Sequence, residues 1–455
     1  MTGPVAVVDI GKTTAKLALV DRASGATLDT LTRPNRPRPG PPYPHADVDG
    51  LWSFIREGLA RFAAAHPVAG VAVTTHGATA ALVAGDGLAL PVLDYEHDGP
   101  DAVADAYDRV RPDFAETLSP RLPAGLNLGA QLFWQARAFP DGFARAEAIL
   151  AYPQFWAWSL TGIGASEATS LGCHTDLWAP ADRGLSSLVE REGWRRLFPP
   201  LRPAASVLGP LLPEVAAATG LRPGTPVACG IHDSNASLLP WLGRLRPPFT
   251  VISSGTWTVV MTVGGTIAGL DPARDSLANV DAFGRPVPTA RFMGGREYAA
   301  IAGPDPTPAT SADVRAVIAG GAMALPSFAP GFGPFGAGAG RVEPSGGPAG
   351  ARRTALADLY LALVTRECLA LAGTGARIVV EGPLARNATF CGLVAALAKV
   401  PVHPSPDATG TAMGAALLFD PPGAPRDEVP AVAVPPLAVA GLDDYARAWR
   451  ALAGR

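Results

Sequence analysis

Three short stretches of this chain place acids, hydroxyls and cations where a chain reversal would present them together. In Val8-Asp9-Ile10-Gly11-Lys12-Thr13-Thr14-Ala15-Lys16, a carboxylate closes an apolar run, a glycine follows, and two hydroxyls and two ammonium groups come next. Backbone N–H groups and the hydroxyls of Thr13 and Thr14 at such a tip suit phosphate oxygens, and Asp9 at the strand end suits a Mg2+ held through water. The chain has only three lysines, Lys12, Lys16 and Lys399, and two of them flank this tip, which sets point charges beside phosphate. Gly11-Lys12-Thr13 also matches the close of a GxxxxGK[ST] phosphate loop. Ala6 stands where that loop needs its first glycine, and strand-like Ala15 to Val20 follows where it needs a helix, so a hairpin is preferred.

Ser253-Ser254-Gly255-Thr256-Trp257 gathers hydroxyls around a glycine with no charge of its own. It suits hydrogen bonds to phosphate, although an ordinary β-turn uses the same residues. The third stretch, Gly230 to Ser237, carries Asp233 between an apolar strand, Pro226 to Ala228, and a helix expected to begin near Asn235. An aspartate there is either a helix cap or the base that takes the proton of an attacking hydroxyl, while Mg2+ and the two tips stabilise charge on a γ-phosphate.

The elements needed to position these groups are legible as alternating apolar runs and turns. Val5 to Asp9 and Ala15 to Val20 read as a hairpin, Arg33 to Pro44 as a proline-rich loop, Leu51 to Ala65 as a helix, and Val71 to Thr75 as a strand leading into His76-Gly77-Ala78-Thr79. The hairpin recurs at Phe249 to Ser253 and Thr258 to Val263. Overlaying Gly11 on Gly255 sets Asp9 over Ser253 and Thr13 over Trp257, the pattern of two halves that open alike. Phe328 to Gly350 is dense in glycine and proline and reads as irregular. Helix Arg353 to Gly373, strand Arg377 to Val380, turn Glu381-Gly382-Pro383, helix Ala388 to Ala398, strand Val400 to His403 and helix Gly410 to Phe419 follow. The fold class is α/β.

A length of 455 residues exceeds one ordinary core and fits two or more domains. Hydrophobic residues at 48% and charged ones at 17% belong to a globular enzyme. A net charge of −3 supplies no field to hold nucleic acid or an anionic membrane surface, so a small-molecule partner is expected. No apolar run reaches membrane-spanning length, and the first residues lack the pattern of a secretory leader, so a cytoplasmic protein is expected. Cys173, Cys229, Cys368 and Cys391 show no CxxC pair and read as buried thiols. The histidines show no metal-ligand spacing, so any metal should arrive with a nucleotide.

Val8-Asp9-Ile10-Gly11, His76-Gly77-Ala78-Thr79, His232-Asp233, Ile252-Ser253-Ser254-Gly255-Thr256-Trp257 and Gly410 to Leu417 together resemble the FGGY carbohydrate kinases, in family order across essentially the whole chain. The Ile252 to Trp257 string and His232-Asp233-Ser234 are most similar to rhamnulose kinases, and His76 to Thr79 is closer to xylulose kinases. The resemblance implies two RNase H-like domains of the actin and hexokinase type, 1–244 and 245–455, with ATP in an interdomain cleft and closure on binding. It implies a small ketose, deoxy-ketose or polyol as substrate, held mainly by the N-terminal domain, and by analogy a homodimer.

Carried over by residue, Asp9 would organise Mg2+, Gly11, Lys12, Thr13, Thr14 and Lys16 would lie at the phosphates, Asp233 would be the base, and Gly255 and Thr256 would form the second phosphate loop. Gly382 and Pro383 stand where the family has a Gly-Gly pair against the adenosine, and Asn387 where a polar residue approaches the adenine. His76, Gly77 and His232 match sugar-side positions. Gln131 and Trp134 fall where family helices reach the sugar, although core packing accounts for Trp134 equally well. Asp94-Tyr95-Glu96-His97-Asp98 occupies a place where relatives show Trp, Asp and Arg. Glu96 is a sugar-side candidate there, and the missing arginine points to a different substrate. Arg291 to Tyr298 reads as a polar stretch entering the cleft or as a solvated turn. The rival function is a non-catalytic sugar or nucleotide sensor on the same fold. A third, an acetate-type kinase or chaperone of the wider actin-like group, does not account for His76 to Thr79.

Overall fold

Val5 to Val8 has no polar face and needs cover on both sides. The computed structural model, which describes residues 3–405, 410–420 and 432–454, buries it in the middle of a sheet. β1 (Val5–Ile10) pairs antiparallel with β2 (Thr14–Val20), which pairs with β3 (Thr27–Pro34). Helix α1 (Val48–Ala65) covers one face. Asp47 caps it by accepting the Gly50 N–H, and Leu51, Ile55, Leu59 and Phe62 form its buried stripe. Each such side chain contributes roughly 1.5–3 kcal/mol on burial. A Cβ on Gly58 would fall 2.4 Å from Leu17 Cδ2, so this glycine sets how closely the helix approaches β2.

On its other edge β1 runs parallel to β4 (Gly70–Thr75), beyond which lie Pro226–Ala228 and Val207–Pro210. The two residues Ile231–His232 pair parallel with Thr74 and Thr75 at the end of β4, while Asp9 and Ile10 pair with the same two residues from the other side. The carboxyl ends of three parallel segments therefore converge, the usual ligand end of such a sheet. Helix α2 (Asp233–Leu242) starts at that point. Pro240 lies inside it and removes the N–H that would bond Ala236 O. Gly414, in helix Gly410–Ala416, lies against that carbonyl, where a Cβ would sit only 1.7 Å from the oxygen.

The second sheet repeats the plan. β5 (Phe249–Ser254) pairs antiparallel with β6 (Thr258–Val263) and parallel with β7 (Ile378–Glu381). Pro286–Phe292 and Ser276–Val280 extend the β6 side, and Val402–Pro404 the β7 side. Helices α3 (Gly294–Ala302) and α4 (Ala351–Ala372) belong to this half, and α4 is buried on nearly every side.

Contacts divide the described chain into two units, 3–244 with 279–286 and 410–420, and 245–278 with 287–405 and 432–454. The sequence division at 244/245 left everything later with the second half. Helix 410–416 instead packs with the first unit, through the flush contact at Gly414. It also ends at Ala416, where a 3-10 turn, Leu417–Phe419, takes over from the expected helix. The stretch from Phe328 to Gly350 contains a short strand, Arg341–Glu343, paired with Met323–Leu325. No helix among the described residues is long and apolar enough to cross a membrane.

Candidate active site

Asp233 is the first residue of α2 rather than its cap, which is His232. Its Oδ1 accepts the Ser234 N–H at 2.6 Å and the Ser234 hydroxyl at 3.3 Å, and lies 3.2 Å from His232 Nε2. Oδ2 has no protein partner among the described residues, and the side chain is 32% exposed. One oxygen is anchored and the other is offered. The His232 backbone N–H donates to Thr169 Oγ1 at 3.1 Å, and that hydroxyl donates to the buried carboxylate of Glu167 at 2.6 Å, fixing the junction from behind.

Burial would lower the basicity of the His232 imidazole, but the Cys173 thiolate and the Asp233 carboxylate beside it outweigh burial and raise its pKa to about 9. The thiol of Cys173 is lowered well below its usual range by His174 and His232, against its own burial. Gly77 serves by having no side chain: a Cβ there would lie 2.7 Å from His232 Nε2 and 3.6 Å from Cys173 Sγ. Asp9 pairs with Lys16 across the hairpin at 3.2 Å. Burial raises its pKa most, the nearby Asp233 adds to the rise, and Lys16 opposes it. Two carboxylates this near one another are better accommodated with a cation between them.

Lys12 does not stand free at the tip. It forms an ion pair with Asp94, lies 3.4 Å from Glu96 and sits 4.4 Å from the Tyr95 ring centroid. Two acids and an aromatic face draw the ammonium inward. It lines a narrow polar cavity of about 30 Å3, with room for one water, together with Asn35, His76, Thr79, Asp94, Tyr95 and Tyr152. A groove of about 570 Å3 shares Lys12 and Asn35 and adds Thr13, Thr14, Arg33, Arg36 and the exposed Glu96. Burial lowers the His76 pKa, leaving a neutral ring at pH 7. Its Nδ1–H donates to Gly77 O at 2.9 Å, so Nε2 is an acceptor for a hydroxyl. Gln131 is buried and gives its amide hydrogens to Ala78 O and Gly125 O, both at 2.5 Å, so it pins the loop after β4. Trp134 packs with Tyr43, His97 and Phe139, which is the core reading of that residue.

The second unit has its own cavity, about 520 Å3, lined by Ser254, Gly255, Gly294, Gly295, Tyr298, Pro306, Pro308, Thr354, Asp358, Leu361, Pro383, Leu384 and residues 386–389. Gly255 and Thr256 are exposed at the tip, closed by the Gly255 N–H on Trp257 O at 2.8 Å. Gly382 has φ +75, and a Cβ on it would lie 2.0 Å from Ser254 O, so the turn before Pro383 needs its glycine. Asn387 accepts the Phe390 N–H at 2.9 Å and donates to Asp358 Oδ1 at 2.6 Å. Burial raises the Asp358 pKa to about 7, with Asn387 opposing.

Arg291 to Tyr298 is not a turn: it is the end of a strand and the start of a helix, with only Gly295 and Arg296 exposed. Arg291 pairs with Asp275 at 2.9 Å, and α3 begins at Gly294. Its glycines are required by packing, since a Cβ on Gly294 would lie 2.1 Å from Thr258 Oγ1 and one on Gly295 2.3 Å from Gly255 O.

Within the first unit the structure thus brings together Asp9, Lys12, Lys16, His76, Gly77, His232 and Asp233. Within the second it brings together Gly255, Pro383 and Asn387 at one cavity, with Gly382 against its wall. Sequence reading missed Glu167, Thr169, Tyr95, Thr354 and Asp358, and gave Cys173 no chemistry. The legible signal for Thr354 and Asp358 was a polar pair four apart in a stretch, 354–364, that is otherwise Ala, Leu, Tyr and Val. No cluster of three or more His, Cys, Asp or Glu able to hold a metal by itself occurs among the described residues.

Residues 246–427 match the model of the carbohydrate kinase FGGY C-terminal domain. The crystal structure of a carbohydrate kinase from Novosphingobium aromaticivorans is 39% identical, covers 100% of this chain and 99% of its own, and superposes with a TM-score of 0.92. An L-fuculokinase of Salmonella typhi is 30% identical over 204 residues, 44% of this chain and 43% of that protein. An L-xylulose/3-keto-L-gulonate kinase of Escherichia coli (strain K12) is 26% identical over 167 residues, 36% and 32% of the respective chains. The chain thus spans less than half the length of these curated relatives.

Proposed function

Since the chain belongs to the FGGY family of carbohydrate kinases, we propose that it phosphorylates a primary hydroxyl of a small ketose, deoxy-ketose or polyol from MgATP, with Asp233 as general base. The observation that carries this reading is the divided carboxylate of Asp233, one oxygen held by Ser234 and His232 and the other without a protein partner at the ligand end of the sheet. The fixed oxygen sets the direction of the carboxylate, and Oδ2 takes the proton of the attacking hydroxyl. His232, charged through pH 7, lies beside the anchored oxygen and leaves Oδ2 facing outward.

MgATP, when bound, supplies the electrophilic γ-phosphoryl group and screens its charge. Asp9 is the residue placed to hold the Mg2+ hydrate, with Lys16 beside it and the hydroxyls of Thr13 and Thr14 at the tip. A single carboxylate with water and phosphate is the usual protein share of such a site. His76 Nε2, Asp94, Lys12 and Glu96 serve the sugar's hydroxyls. The cation that the stretch 94–98 lacks in sequence is supplied by Lys12, through its pairing with Asp94. In the second unit, Gly255 and Thr256 serve the phosphates, and the cavity bounded by Pro383 and Asn387 serves the nucleoside. The relatives quoted above are named for fuculose and xylulose rather than rhamnulose, so the substrate is sought among ketoses of both kinds.

The test is release of ADP from MgATP against a panel including L-fuculose, L-rhamnulose, the xyluloses and small polyols, beside Asp233→Ala. Turnover with one sugar that disappears in the variant supports both activity and base. Sugars that raise the melting temperature without turnover would favour the sensor, and hydrolysis independent of any sugar would sink the kinase reading.

A further inference from the structure

Two residues that line the second unit's cavity each carry a buried polar atom with no hydrogen-bond partner among the described residues, and both come from α4. Thr354 and Asp358 stand one turn apart on the same face of the helix, 3% and 1% exposed, in a run that is otherwise Ala, Leu and Tyr from 355 to 361. Thr354 Oγ1 and Asp358 Oδ2 are the unpartnered atoms. The carboxylate is held in orientation. Its Oδ1 takes the Asn387 amide hydrogen at 2.6 Å, and Asn387 is itself fixed because its own oxygen accepts the Phe390 N–H.

Leaving a buried polar group unpaired forfeits its hydration without return, so two on one face of one helix call for a ligand. Among the other lining residues, Tyr298, Pro306, Pro308, Leu361 and Leu384 offer apolar sides that suit a heteroaromatic ring. We propose that Asp358 and Thr354 select the base of the nucleotide. Oδ2 of Asp358 accepts from an exocyclic amine, and the Thr354 hydroxyl donates to the ring nitrogen next to it. That is the donor and acceptor order of the amine edge of adenine. A 6-oxo purine sets an acceptor against the Asp358 carboxylate and is rejected. The inference rests on the reading that this cavity holds the nucleoside.

The closing experiment is calorimetric titration of the full chain with MgATP and with MgITP at pH 8, without sugar, for the wild type, Asp358→Asn and Thr354→Val. The wild type should bind ATP about tenfold or more tightly over ITP, the effect of one mismatched buried hydrogen bond. In Asp358→Asn the amide oxygen keeps the Asn387 bond and the NH2 replaces Oδ2, so a donor faces the base and the preference should invert towards ITP. Thr354→Val should weaken ATP without inverting the order. A merely structural role for Asp358 would not reverse a base preference. Equal binding of ATP and ITP by the wild type, or an unchanged ratio in Asp358→Asn, overturns the proposal. If the wild type binds neither nucleotide, the nucleoside reading of the cavity fails and the base selection falls with it.

Discussion

The two glycine tips occupy corresponding places, yet they differ by one residue and by all of their charge. In the first, Ile10 pairs with Ala15 as the last rung of the ladder. In the second, Ser254 pairs with Thr258. The overlay of Gly11 on Gly255 therefore holds along the outgoing strand and slips by one on the return. Asp9 faces Lys16, whereas Ser253 faces Val259. Both tips are braced, but by different means. Asn35 holds Gly11 O through its side chain at 2.8 Å and Thr13 O through its N–H at 2.9 Å. The Gly295 N–H holds Thr256 O at 3.2 Å. The repeated strand–turn–strand scaffold keeps its geometry and divides its chemistry: the charged tip stands with Asp9 and Asp233, the neutral tip with a flat-walled cavity.

The comparison breaks first at Asp233. Replacing it by Ala should lower kcat by about 10²- to 10⁴-fold with little change in ATP binding, measured as ADP release and nucleotide titration. Asp9→Asn should cost roughly 10²-fold in kcat and weaken the dependence on Mg2+, read from a Mg2+ titration of rate, because charge stabilisation is lost where phosphate develops it. An equal loss from Ser253→Ala would mean that the tips share the charge role after all.

Gly382→Ala should raise the KM for ATP and destabilise the chain by about 1–3 kcal/mol in urea unfolding, from the contact with Ser254 O and the positive φ. Lys12→Met sharpens the division within the first unit. It should raise the KM for the sugar by about tenfold, the loss of one charge-assisted contact, and leave that for ATP alone. A change in the ATP value would return Lys12 to the phosphates.

The smallest expected effect is on stability against pH. Taken alone, a folded pKa of about 9 for His232 against 6.5 unfolded gives a contribution fully present below pH 6.5 and lost as pH rises through 9; the lowered Cys173 thiol contributes with the opposite sign, so the pair leaves stability nearly flat between those values. Thermal melts of Cys173→Ser and the wild type between pH 6 and 9.5 check this, and a steep wild-type fall across that range would mean that Cys173 stays a neutral thiol.

Both hairpins were legible because apolar runs and a glycine turn specify them locally, and Asp233 was legible because it sits at a strand-to-helix junction. What escaped depends on partners distant in sequence. Lys12 was placed at phosphate because nothing in residues 9–16 announces Asp94 and Glu96. Gln131 reads as a polar residue available to sugar until the carbonyls of Ala78 and Gly125 are beside it. Gly294-Gly295 discourages a helix by propensity, and α3 begins there because the contacts at Thr258 and Gly255 leave no room for a Cβ. The sheet of Ala80–Ala84, Gly87–Leu90 and Ala148–Ala151 joins strands nearly sixty residues apart and leaves no local signature.

The contact between Gly414 and the carbonyl freed by Pro240 also orders events in time. During synthesis the helix that begins with Asp233 emerges from the ribosome well over a hundred residues before the segment that closes against it, and most of the second unit is made in between. The first unit is thus a domain whose last stave arrives late. Chains that stall in the second half would carry the proposed base on an unsupported helix, with apolar surface around Ala236 still uncovered, and would be candidates for chaperone capture rather than for early activity.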